Sequence, residues 1–96
     1  MANTQLLAAI ILRLNKYKQR ATYGAIGPML GYSVSPGQKV GNLMARRPRD
    51  PLNSWVVSKK DGVPSGYTHH QLHPDLFTNP VIEDPDTFKH WLASHP

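Results

Sequence analysis

Leu6, Leu7, Ile10, Ile11, Leu14 and Tyr17 recur at three- and four-residue steps. With Asn3 or Thr4 available as N-cap, this spacing predicts an amphipathic helix over residues 4–19 with a polar, basic outer face. A second, shorter apolar set, Ile26, Met29 and Leu30, predicts a helix from Thr22 that stops at Gly31. Pro28 falls inside it and must kink the helix or delay its start, because proline has no N–H to donate and crowds the preceding turn. Ser35, Pro36 and Gln38 form the signature of a capped helix start, with Ser as N-cap and Gln closing a capping box. That third helix is expected to run to about Arg46. It turns Val40, Leu43 and Met44 inward and Gln38, Asn42 and Arg46 outward, with Lys39 at the margin.

Pro48 ends the helical pattern, and Arg46, Arg47 and Arg49 make the following stretch an exposed basic loop. Residues 54–59 are rich in β-formers, and Asp61-Gly62 is a hairpin signal with Val63 to Tyr67 as the return strand, shortened by Pro64. Residues 68–79 show no period and read as a loop with one helical turn at most. Asp84-Pro85 then caps a last helix whose Phe88, Trp91 and Leu92 share one face and belong to the core. The expected fold is α+β and mainly helical: a winged helix-turn-helix with a short β-hairpin wing and a C-terminal helix, one domain over residues 1–96.

Composition narrows the function classes. The chain contains no cysteine, which excludes disulfides, thiolate catalysis and cysteine-ligated zinc. The longest apolar run, Leu6 to Leu12, is far shorter than the roughly 20 residues of a membrane-spanning helix. It also lacks the flanks of a signal peptide, so a cytoplasmic, nucleoid-associated protein is expected. The net charge of +5 is unevenly placed. Residues 1–60 carry ten Lys and Arg against Asp50, whereas residues 61–96 carry Lys89 against five acids. The basic portion points to a polyanionic partner.

The polar residues of the third helix and the loop after it suit a DNA groove, because amide and guanidinium groups reach base edges and phosphates. The DNA-binding candidates are Tyr23, Ser35, Gln38, Lys39, Asn42, Arg46, Arg47, Arg49, Lys59 and Lys60. His69, His70 and His73, with Asp75 nearby, form the one metal-like cluster, but Pro74 and the lack of a fourth strong ligand argue against zinc. Neither a catalytic Ser-His-acid set nor a nucleotide-binding glycine loop is present. No metal, cofactor, membrane or small-molecule substrate is expected.

Thr22-Tyr23-Gly24, Leu30-Gly31, Val40-Gly41, Pro48, Trp55-Val56-Val57, Gly62 and Gly66-Tyr67 follow one another in an order that has a precedent. Over residues 20–67 the chain resembles the DNA-binding domain of O6-alkylguanine-DNA alkyltransferases and the alkyltransferase-like proteins. The resemblance implies that Tyr23 helps position a phosphate and the rotated nucleotide, and that Tyr67 walls a base pocket shared with Asn53 and Trp55. Asn53, Ser54 and Trp55 stand where the family has its reactive Cys, His and Arg. Without a thiolate and an aligned base there is no alkyl transfer. Alkyltransferase-like proteins also lack that cysteine, often carrying tryptophan in its place, and mark alkylated bases for excision. Here tryptophan comes two positions later, and Gln38 replaces the family's intercalating arginine, which weakens the case for base flipping.

The expected function is therefore non-catalytic binding of double-stranded DNA, extending to recognition of alkylated bases for repair, with repair proteins as further partners. The rival class is a protein-interaction module that has lost DNA binding, meeting its partner through the acidic tail or the 55–67 surface.

Overall fold

The computed structural model describes residues 3–96. The first apolar repeat forms helix α1 (Asn3–Tyr17), which buries Leu7, Ile10, Ile11 and Leu14. Lys18, in the left-handed region at φ 55°, ends it at the last apolar residue of the repeat, two residues short of the expected boundary at residue 19. Ala21–Thr22 forms strand β1, and Thr22 then caps helix α2 (Tyr23–Ile26) by accepting a hydrogen bond from the Ala25 N–H at 3.1 Å. Pro28 neither kinks the helix nor delays its start: the chain tightens into a 3₁₀ turn over Gly27–Leu30 and stops at Gly31, whose φ of 87° suits glycine.

Helix α3 (Pro36–Met44) starts at Pro36 as expected, but Ser35 does not cap it. Ser35 lies in the left-handed region at φ 47° and its side chain makes no capping bond, so the predicted capping box is absent. The conformation of Ser35 follows from packing. Gly27 meets Pro36 so closely that a Cβ on Gly27 would fall 2.8 Å from the Pro36 carbonyl, and the chain must turn sharply to bring α3 onto α2. Helix α3 also ends at Met44, short of Arg46.

The wing differs most from expectation. Pro51–Trp55 is a 3₁₀ turn capped by the Asp50 carboxylate, and strand β2 comprises Val56–Val57. This strand pairs in parallel with β1, Ala21 opposite Val56 and Thr22 opposite Val57. The expected hairpin return over 63–67 is a closed turn instead: the Ser58 N–H donates to the Val63 carbonyl and the Gly62 N–H to the Ser58 carbonyl, both at 2.9 Å. Pro64, with no N–H, adds nothing to a ladder. A single parallel bridge from Ala21 to Ile82 extends the sheet on its other side.

The 68–79 stretch contains one 3₁₀ turn, His69–Gln71, before helix α4 (Pro85–Ser94). Phe88 and Leu92 of α4 are buried, and Trp91 is half-buried against them. One core joins these to α1, α2, α3 and the sheet, giving a mainly helical α+β fold of four helices and a small parallel sheet. No helix among the described residues is long and apolar enough to cross a membrane.

Asp84 caps α4 by accepting from the Thr87 N–H at 2.9 Å and the Thr87 hydroxyl at 3.1 Å. These bonds hold its carboxyl below the ordinary carboxylate value. A carboxyl lowered by folding stabilises fully above its unfolded pKa and loses that contribution as the pH falls through the folded value. Asp84→Ala is thus expected to melt earlier than the parent at neutral pH. The gap should close on acidification, as thermal melts across the acid range would record.

Candidate nucleic-acid interface

Helix α3 carries residues of one flank at near-helical repeats. Gly37, Gln38, Gly41, Asn42 and Ala45 border a cleft of about 700 Å³ shared with the start of α2 and the 64–67 segment. A Cβ on Gly41 or Gly24 would meet nothing within 4 Å, so at both places the backbone faces open space. Tyr23, Ser65 and Tyr67 complete the walls, and Arg49, Lys59 and Glu83 also line the cleft.

The two tyrosines hold this shape. The Ser65 N–H donates to the Tyr23 hydroxyl oxygen at 2.9 Å, and the Tyr67 hydroxyl donates to the Pro48 carbonyl at 3.3 Å. Burial raises the pKa of both phenols, Asp61 adding to the effect at Tyr23 and Asp50 at Tyr67, so both stay neutral at pH 7. Gly66, at φ 77°, leaves room for the Arg49 guanidinium, 3.2 Å from where a Cβ would lie. The 64–67 segment is thereby tied to α2 and to the loop after α3.

Several cations are committed elsewhere. Lys18 pairs with Asp75 at 3.1 Å, and the Arg47 Nε donates to the Asn53 Oδ1 at 2.6 Å. Arg20 is buried; it donates to the Gly62 and Asn79 carbonyls at 2.9 and 3.0 Å and lies over the Phe77 ring. Burial lowers the pKa of its guanidinium. Among the described residues, the side chains of Lys39, Arg46, Arg49, Lys59 and Lys60 make no hydrogen bond or ion pair, although the Lys39 ammonium rests 5.5 Å above the Tyr32 ring. Of these five, Arg49 and Lys59 line the cleft, Arg46 lies on the other flank of α3, and Lys39 and Lys60 are exposed outside the cleft.

The candidates from the sequence therefore divide. Tyr23, Gln38, Asn42, Arg49, Lys59 and Tyr67 line one cleft. Arg46 and Arg47, beyond the end of α3, turn to its other flank and line a small hollow with Thr4, Leu7 and Leu43. Ser35 and Lys60 are exposed but outside the cleft. Asn53 and Trp55 do not form a base pocket with Tyr67. Asn53 is 2% exposed and bonded to both Asp50 and Arg47, while Trp55 is fully buried with its Nε1 donating to the Asn15 Oδ1 at 2.9 Å. Ser54 is likewise buried, donating to the Pro51 carbonyl and accepting from the His73 N–H.

The histidines do not converge. His69 and His70 meet edge to face, while His73 lies over Trp55, its Nδ1 accepting from the Asp75 N–H. Among the described residues no group of three His, Asp or Glu is placed to hold a metal. Sequence reasoning missed Gly41, Ala45, Ser65 and Glu83 as cleft residues. Small residues at 37, 41 and 45, each four apart, were the available signal for the first two.

No family model, curated protein or solved structure matches this chain.

Proposed function

We propose that this chain is a non-catalytic duplex-DNA binder of alkyltransferase-like type, with α2, the Gly31–Ser35 turn and α3 as its helix-turn-helix and the 58–67 turn as its wing. The observation that carries this is the pair Arg49 and Lys59, uncommitted to protein acceptors, in the cleft beside α3, with Arg46 equally uncommitted on the other flank of the helix and Lys39 and Lys60 exposed outside the cleft. In this arrangement Gln38 and Asn42 meet base edges, the cations meet phosphates, and Gly41 and Ala45 let the helix approach closely. The cleft between Tyr23, Gly41 and Tyr67 is the place for a damaged base. Alkyl transfer has no place in this reading, because the chain has no cysteine and Asn53 and Ser54 stand where the resemblance puts the thiolate and its base.

Fluorescence anisotropy of a labelled duplex titrated with the protein at rising salt tests this. Affinity should fall by about 0.9 decades per neutralised phosphate for each tenfold rise in salt, and Arg49→Ala/Lys59→Ala should flatten the slope by roughly two phosphates. A slope near zero in the parent removes the DNA reading. A second duplex containing O6-methylguanine isolates damage recognition: equal affinity for both duplexes keeps the binder and rejects the sensor.

A further inference from the structure

On the edge of β1 opposite β2, Ile82 forms a one-residue parallel bridge with Ala21. The Ile82 N–H donates to the Arg20 carbonyl and the Ile82 carbonyl accepts from the Thr22 N–H, both at 3.0 Å. In a parallel ladder successive residues alternate the edge to which they present their polar groups, so those of Val81 and Glu83 point away from β1. Among the described residues neither makes a hydrogen bond there. The result is an unpaired sheet edge, the kind of feature that accepts an added strand.

Beside this edge lies a shallow groove of about 480 Å³, lined by Pro80, Val81, Ile82, Thr87 and Trp91, with Glu83 and Asp84 on its lining and no cation. Asp86 is exposed in the first turn of α4. In a chain of net charge +5, this is a concentrated acidic region with an apolar floor. Asp84 and Asp86, neither of which lines the α3 cleft, repel phosphate, which turns nucleic acid away from this edge. They also oppose a second copy, whose own Glu83 and Asp84 would come to lie beside them.

We propose that this edge binds an extended, basic segment of a partner protein by strand addition. The Val81 and Glu83 backbone groups supply the pairing, Trp91 and Ile82 receive an apolar side chain, and Glu83, Asp84 and Asp86 receive alternate cations. Pro80 and Pro85 bound the edge, so the matching segment is short. This inference does not rest on the DNA reading; Glu83, which also lines the α3 cleft, is the residue that the two sites share.

The test uses the full chain, isotopically labelled for amide NMR, and a capped synthetic peptide of alternating Arg and Val, with a Glu-Val peptide as control. Saturable shifts and slowed exchange at the Val81 and Glu83 amides are expected with the Arg-Val peptide, and none with the control. Val81→Pro removes an N–H that the fold does not use and should weaken binding about tenfold, the value of one lost hydrogen bond. Glu83→Lys/Asp86→Lys, which spares the Asp84 cap, should weaken it at least as much and decides the matter if Val81→Pro does not fold. Equal binding of the two peptides, or shifts confined to other residues, overturns the proposal. So does a concentration-dependent dimer in sedimentation that Val81→Pro abolishes, since the edge would then belong to a second copy.

Discussion

Replacing Trp55 by alanine is expected to cost about 3–5 kcal/mol, the usual range for emptying a fully buried large aromatic position. A domain of this size has about 5–15 kcal/mol in all, so the variant sits near the edge of folding. The indole is 0% exposed, joins α1 through its bond to Asn15, and lies under the His73 ring at 4.8 Å. Alanine would leave both a cavity and an Asn15 oxygen without its partner. Urea denaturation followed by circular dichroism would show the midpoint falling sharply. Trp55→Phe keeps most of the volume and should lose less. An unchanged midpoint for Trp55→Ala, with ligand affinity falling instead, would mean that Trp55 walls a binding pocket after all.

The second large effect is expected at Gly41, and it concerns binding rather than folding. Glycine inside a helix costs about 0.5–1 kcal/mol relative to alanine, and the Gly41 Cβ position is empty to 4 Å. Gly41→Ala should therefore stabilise the chain slightly, and Gly41→Leu should fold normally while projecting its side chain into the cleft. On the DNA reading, that leucine holds α3 off the groove and lowers duplex affinity about tenfold to a hundredfold, equivalent to roughly 1.4–2.8 kcal/mol. Anisotropy titration of the parent and both variants at one salt concentration measures this. Equal affinity for the parent and Gly41→Leu would take the cleft flank of α3 out of the interface, and contact through the Arg46 flank would have to replace it.

The two variants separate what the linear pattern could and could not reveal. Helices α1 and α4 were legible because their apolar repeats and, at α4, the Asp84-Pro85 cap act within a few residues of one another. Gly31 was legible for the same reason, since a left-handed helix stop is a local requirement. The Ser35 cap was not, because the contact of Gly27 with Pro36 overrides the local preference of serine. The hairpin signal at Asp61-Gly62 correctly marked a turn, yet the partner of Val56–Val57 is β1, a choice made by packing between distant segments.

Candidate chemistry divides along the same line. Residue type and short-range spacing are enough to specify helices α1 and α4, the crowding of positive charge before residue 61 and the absence of any thiol. The folded chain is needed to see which cations are committed to internal carbonyls and carboxamides, that Asn53 and Trp55 are sealed in the core, and that Val81 and Glu83 have unpaired backbone groups. Burial and hydrogen-bond partners belong to side chains far apart in the chain, and no local period encodes them.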